Sequence, residues 1–201
     1  MARRTKAEAE ATRLALLDAA EEVFFEKGVA RTSLEQIARH AGMTRGAVYW
    51  HFRNKADLFR AMLERVRLPF EELVAETAGE GTSPLEAIRL GCERGFLRLE
   101  QPRHRRVHAI LVHRCEFFSD IDPQAMQSEM ASECLEALGD YLGAARAQGL
   151  LREDLAPEVA TRLLQSLLSG IFHDWLRDPE AYSLHERGMA LVDAQLALMR
   201  R

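Results

Sequence analysis

Between Leu34 and Phe59 the chain reads LEQIARHAGMTRGAVYWHFRNKADLF. Apolar residues recur there at helical spacing, but the pattern stops at Gly42 and resumes behind Thr44. Glycine takes the positive φ of a sharp turn at little cost, and threonine is a preferred helix N-cap. The segment therefore predicts two short helices joined by a tight turn, with a further helix starting behind Asn54. This is the sequence form of a helix-turn-helix, whose second helix enters a DNA major groove.

The remainder also reads as helix. The 201 residues contain only 6 Pro and 12 Gly, and no long alternating run of β-branched residues. The fold class expected is all-α with about nine helices. A first helix runs from about Ala11 to Lys27, with Leu14, Leu17, Ala20, Val23 and Phe24 on one face and Gly28 as its C-cap. Thr32 or Ser33 caps the second helix, where Ser33 with Gln36 resembles a capping box, and Leu34, Ile37 and Ala38 face inward. Thr44 caps the third, and Asn54 a fourth that continues to about Ala75. The stretch Thr77-Ala-Gly-Glu-Gly-Thr-Ser83 is the clearest break, and Pro84 suits the first turn of the next helix. Helices near 84–100, 103–117, 123–148, 157–177 and 184–200 follow. The expected domains are 1–54 (arm and helix-turn-helix), 55–76 (connecting helix) and 77–201 (a second helical domain).

Charge is divided along the chain. Residues 1–67 hold 13 Lys and Arg against 9 Asp and Glu, a net charge of +4, whereas residues 68–201 hold 14 against 22, a net of −8. One end can meet phosphates while the rest repels them. No apolar run approaches the roughly 18 to 20 residues a membrane span needs. The basic start, MARRTKAEAEATR, lacks the apolar block of a secretory signal, so export is not expected. Cys92, Cys115 and Cys134 are widely spaced, without a CxxC pair; reduced thiols are expected, not a disulfide framework or zinc site.

The third helix has the chemistry of a base reader. Arg45 can donate two bonds to guanine, and Thr44, Gly46 and Ala47 are small enough for close approach. Tyr49, Trp50 and His51 flank them with polar edges for phosphate oxygens. Lys55 adds a charge at the start of the fourth helix, an anion site by geometry. Four consecutive aromatic positions, Tyr49 to Phe52, cannot all face one core from a helix; Phe52, Leu58 and Phe59 are assigned to the small core. Arg3, Arg4 and Lys6 form a basic arm with two readings, a minor-groove or backbone contact and plain solvated charge.

These motifs resemble the DNA-binding domain of the TetR family of bacterial transcriptional repressors. The likeness rests on Ile37-Ala-Arg-His-Ala-Gly42, Thr44-Arg-Gly-Ala-Val-Tyr-Trp-His-Phe52 and Asn54-Lys55. Ala2-Arg-Arg-Thr-Lys6, Gly28-Val-Ala-Arg-Thr32 and Ile110-Leu-Val-His-Arg-Cys-Glu-Phe117 are similar to its AcrR/TtgR-like branch, which represses multidrug efflux pump genes and releases DNA on binding drugs. The resemblance implies a cytoplasmic bacterial homodimer, associated with the nucleoid when bound to double-stranded operator DNA, and a small hydrophobic or amphiphilic, drug-like effector. It implies DNA contacts at Thr32 or Ser33, Thr44, Arg45, Gly46, Ala47, Tyr49, Trp50, His51 and Lys55. No cofactor, membrane or enzymatic role is implied.

Two stripes in the second domain mix apolar bulk with polar tips, the makeup of a ligand pocket. One is His108, Leu111, Val112 and Cys115; the other is Gln165, Leu168, Ser169, Phe172 and His173. By resemblance the pocket is closed by the end of the fourth helix, with Val66 and Phe70, and the fifth helix adds Cys92 and Phe96. Ordinary helical core is the competing reading. Leu163, Leu167, Gly170 and Asp174, with Met189, Val192, Leu196 and Met199, would build a four-helix dimer interface; intrachain core is again the alternative. His104 and His108 share a helix face, but Arg105 and Arg106 between them repel a cation, so no metal site is expected. No nucleophile elbow, phosphate loop or paired-carboxylate pattern occurs. The alternative functions are a small-molecule-responsive regulator, repressor or activator, of another operon, and a small enzyme or carrier of hydrophobic molecules whose helix-turn-helix is degenerate.

Overall fold

The computed structural model describes residues 6–118 and 121–201, so Arg3 and Arg4 of the expected arm lie outside the described residues. Ten helices occur there: α1 (Lys6–Lys27), α2 (Leu34–His40), α3 (Arg45–His51), α4 (Lys55–Glu64), α5 (Phe70–Ala75), α6 (Pro84–Leu99), α7 (Pro102–His113), α8 (Pro123–Ala147), α9 (Pro157–Arg177) and α10 (Leu184–Met199). They fall into two compact units, residues 1–67 with 106–124, and residues 68–105 with 125–201. The division read from sequence differs from this: the first unit keeps all of α4 and recruits most of α7 and the segment behind it.

In the first unit, α1 buries Leu16, Leu17, Ala20, Val23 and Phe24. Leu14, expected on that face, is instead 41% exposed. Phe24 meets Phe59 of α4 edge to face, with ring centroids 5.9 Å apart. The capping box at α2 is complete: Gln36 N–H donates to Ser33 Oγ at 3.3 Å, and Ser33 N–H donates to Gln36 Oε1 at 2.7 Å. At the other end of α2, Gly42 has φ +67. Gly42 N–H donates to the Arg39 carbonyl at 3.1 Å and Met43 N–H to the Ala38 carbonyl at 2.8 Å. These two bonds are a Schellman motif, closed by a left-handed residue that glycine supplies without strain.

The expected fourth helix is broken. Pro69 has no N–H and disfavours helical geometry at Leu68, so α4 ends at Glu64 and α5 starts at Phe70. This raises the helix number above the nine expected. Just past the end of α4, Arg65 reaches back to α1, where Nη2 donates to Asp18 Oδ1 at 2.7 Å and Nη1 lies 3.0 Å from Glu21 Oε1. Glu21 is only 2% exposed.

In the second unit, α6 is sandwiched between close neighbours. A Cβ on Gly91 would lie 2.8 Å from Phe70 and Val74 side-chain atoms of α5, and one on Gly188 would lie 2.7 Å from the Phe96 ring of α6. Only glycine allows α5 and α10 to approach α6 this closely. α10 buries Leu184, Met189, Val192, Leu196 and Met199, and Trp175 of α9 is fully enclosed.

Arg65→Ala removes the cation that Asp18 and the buried Glu21 share, and we expect a stability loss of up to about 3–5 kcal/mol in urea unfolding. An unfolding midpoint equal to that of the wild type would show that the ion pair does not hold α4 to α1.

Candidate nucleic-acid interface

A seven-residue helix is too short to persist on its own, so α3 depends on how it is held. Thr44 Oγ1 accepts from Ala47 N–H at 3.3 Å. Val48 is wholly buried, and Phe52 behind the helix is 2% exposed. With that side anchored, Thr44, Arg45, Gly46, Tyr49 and Trp50 are exposed, and Ala47 and His51 are half-buried. Trp50 stands 72% exposed, packed edge to face on His51 with ring centroids 4.5 Å apart. Small residues at the N-terminal turn and aromatic residues behind it therefore share one solvent-facing surface, as expected from the sequence.

This surface carries one carboxylate that sequence reasoning missed. Glu35, in the first turn of α2, accepts from Tyr49 Oη–H at 2.9 Å and lies 3.3 Å from Arg45 Nε. The Arg45 guanidinium also sits 5.4 Å from the Tyr49 ring centroid. Glu35's own backbone N–H, then the Tyr49 hydroxyl, hold its carboxyl below the usual range, so it is ionised at neutral pH. No local sequence signal links Glu35 to Arg45; only the crossing of α2 and α3 brings them together.

Two expected contact residues are placed differently. Thr32 is 3% exposed, and its hydroxyl donates to the Gly28 carbonyl at 2.8 Å. Its side chain serves the turn between α1 and α2, which leaves the exposed Ser33 as the available member of the pair. Lys55 is the second correction. Its Nζ donates to the carbonyls of Val29, Ala30 and Thr32 at 2.8, 3.2 and 2.9 Å. It also lies 3.8 Å from the Phe118 ring centroid. An ammonium has three donors, and here all three are matched by carbonyls of one turn. Burial lowers its pKa, with Cys115 acting weakly the other way. Lys55 thus ties α4 to the turn that orients α2, in place of the free phosphate contact expected of it. Val29 N–H donates to the Arg114 carbonyl at 3.0 Å, so the segment behind α7 closes over the same turn.

The effector candidates divide between the two units. In the first, Val66, His108 and Leu111 are buried and Val112 is half-buried. Cys115 does not extend their stripe: α7 ends at His113, and Cys115 lies beyond it. Burial pushes its thiol up to about 11, against an opposing pull from Lys55. In the second unit Phe70, Cys92 and Phe96 are buried, and Phe70 and Phe96 are committed to the close contacts with Gly91 and Gly188. Gln165 Nε2 donates to Ser169 Oγ at 3.3 Å, and His173 Nδ1 lies 2.8 Å from the Ser169 carbonyl. Leu168 and Phe172 are half-buried and His173 is exposed. A separate open cleft of about 350 Å³ is lined by Glu100, Arg105, Trp175, Pro179, Glu180, Tyr182 and Ser183, none of them chosen from the sequence.

The expected dimer stripe is half corrected. On α9, Leu163, Gly170 and Asp174 are exposed and Leu167 is half-buried. On α10, Met189, Val192 and Leu196 face inward and are at most 6% exposed, so they are intrachain core. The unsatisfied apolar positions are instead Leu191 and Leu198 of α10, 41% and 67% exposed, with Val159 of α9, 52% exposed. Among the described residues, no three His, Cys, Asp or Glu side chains come together to hold a metal ion. No helix there is long and apolar enough to cross a membrane.

Comparison with known proteins agrees with this geometry. Residues 16–62 match the bacterial regulatory protein model of the tetR family, and residues 96–201 match the C-terminal region of the MAATS-type transcriptional repressors. The chain is 36% identical to the HTH-type transcriptional regulator TtgR of Pseudomonas putida over 100% of its own length and 97% of TtgR. Among solved structures it is similar to NalD, the secondary repressor of the MexAB-OprM multidrug efflux pump in Pseudomonas aeruginosa. That match has TM-score 0.84 and 39% identity, covering 98% of this chain and 99% of NalD. SmeT in complex with triclosan matches with TM-score 0.81 and 37% identity, over 95% and 92% of the two chains. The helix-turn-helix, with a helical domain behind it, defines a bacterial transcriptional regulator. The chain belongs to the TetR family.

Lys55→Ala removes three bonds from the turn between α1 and α2. We expect a stability loss of at least about 1.5–3 kcal/mol, the range for a single hydrogen bond to a charged group, seen as a lower thermal midpoint. A variant that melts like the wild type would return Lys55 to the set of free surface cations.

Proposed function

We propose that the chain is a homodimeric repressor that binds operator DNA through α3 and releases it when a small hydrophobic or amphiphilic effector binds the second unit. Efflux pump genes are the proposed target, because NalD, a repressor of a multidrug efflux pump, matches 98% of this chain at 39% identity. The observation that carries the reading is the exposed surface of α3, with Arg45 74% exposed on a helix locked from behind by Val48. Thr44, Gly46 and Ala47 allow close approach to bases, Arg45 reads guanine, and Ser33, Tyr49, Trp50 and His51 meet the backbone. Cytoplasmic residence follows from the same role.

Two copies pair through α9 and α10. Val159, Leu163 and Gly170 recur on one face of α9, and Leu191 and Leu198 lie two turns apart on α10. A two-fold pair then presents two recognition helices roughly 34–36 Å apart, one turn of DNA. The effector acts by preferring a state with another spacing, so operator DNA must weaken effector binding by the factor by which effector weakens DNA binding. Of the effector-binding set read from sequence, the proposal for that site keeps the residues of the second unit, Phe70, Cys92, Phe96, Gln165, Leu168, Ser169, Phe172 and His173.

Three measurements test this. Arg45→Ala is expected to relax base preference at one position per half-site, costing about 1–3 kcal/mol on the preferred sequence; an unchanged footprint would remove Arg45 as the reader. Leu198→Asp is expected to convert dimer to monomer in sedimentation, and a persisting dimer would move the interface elsewhere. Titration calorimetry with triclosan as the probe, with and without saturating operator, is expected to give different affinities. Binding of equal strength in both would reject coupling between the sites.

A further inference from the structure

A carboxylate is an expensive group to keep on a surface that meets phosphates. Glu35 is one, it lies in the first turn of α2, and it is hydrogen-bonded to Tyr49 and ion-paired with Arg45 of the neighbouring recognition helix. Tyr49 Oη–H donates to Glu35 Oε1 at 2.9 Å, and Arg45 Nε approaches the same oxygen at 3.3 Å. The Tyr49 ring lies beside the Arg45 guanidinium at 5.4 Å. Arg45, Tyr49 and Glu35 thus form a closed triangle, each side of which is a contact. The side chains are 74% exposed for Arg45 and 38% for Glu35, so the triangle is open to a duplex arriving from solvent.

An exposed arginine ordinarily has many rotamers, and the entropy of freezing them is charged against every contact it makes. A long free arginine also has an easier partner than a base, since any phosphate oxygen will do. Both effects erode sequence discrimination. Glu35 opposes both. Its nearest approach is to Nε, which leaves the outer fork of the guanidinium available, and that fork matches guanine O6 and N7. The negative charge also makes a swing of Arg45 away toward a phosphate costlier, because it would leave Glu35 beside the DNA backbone without its cation.

We propose that Glu35 is a specificity-determining residue: by holding Arg45 through Nε, with Tyr49 as the second support, it aims the guanidinium at a guanine and keeps it from settling on the phosphate backbone. The inference rests on the DNA-binding reading above. Glu35 is a positioning residue, since it acts through Arg45.

The test uses the full-length protein and a randomised duplex library, selected and sequenced in parallel for wild type, Glu35→Ala, Arg45→Ala and the double variant. The wild type is expected to enrich guanine at one position per half-site, and Glu35→Ala to reduce that enrichment about fivefold or more, within the roughly 5- to 150-fold a bidentate contact is worth. In the Arg45→Ala background, Glu35→Ala is expected to change nothing further, the mark of two residues acting as one unit. Enrichment that survives Glu35→Ala overturns the proposal, and so does a loss of equal size with Arg45 already removed. If Glu35→Ala melts below the wild type, Glu35→Gln is read in its place, because it keeps the side chain's length while removing the charge. A wild type that enriches no sequence at all overturns the DNA-binding reading itself, an outcome distinct from failure of Glu35 alone.

Discussion

The exposed surface of α3 depends on what is anchored behind it. Seven residues cannot sustain a helix in water, because nucleation costs more than so few hydrogen bonds return. Val48 supplies the grip, Thr44 satisfies the first turn, and Phe52 closes the last. The side turned outward is thereby fixed, and a base-reading surface can be built from residues that contribute nothing to the core. The Schellman turn at Gly42 sets the angle at which α3 leaves α2. The same crossing brings Glu35 of α2 within reach of Arg45 and Tyr49 of α3.

A second constraint lies on the far side of that small core. The turn between α1 and α2 presents three carbonyls in one direction, and Lys55 takes all of them. Backbone acceptors that lose water must find donors, and an ammonium meets three at once. Arg114 adds its own carbonyl to Val29 N–H, and Phe118 covers the Lys55 amine. The segment behind α7 is therefore part of the DNA-binding unit although it is about 50 residues away from it in sequence.

Much of the first unit was legible beforehand. Ser33, Thr44 and Asn54 cap as read, Gly28 and Gly42 take positive φ as read, and Phe52, Leu58 and Phe59 are core as read. Caps and turns are local, so their residue types carry the answer within four positions. Most of the differences lie where partners are distant. Thr32 and Lys55 look like polar surface residues and are spent on backbone carbonyls. Leu68-Pro69 is local, and its break of the expected long helix could have been taken from the proline. The α10 stripe fits a partner subunit as well as intrachain core in sequence, because periodicity identifies an apolar face without saying what covers it.

What the chain's sequence determined by itself was the class of structure: helices, their caps, the glycine turn, the basic end and the acidic remainder, all set by short-range sterics, hydrogen bonding and net charge. Tertiary structure alone decided which apolar faces were already covered. Gly188 lets α10 settle on Phe96, which turns Met189, Val192 and Leu196 inward and leaves Leu191 and Leu198 outside. It also decided which charges were free, pairing Lys55 with a turn and Glu35 with Arg45. The reason is the same in both cases: burial and pairing are properties of two surfaces meeting, and a single surface's pattern does not name its mate.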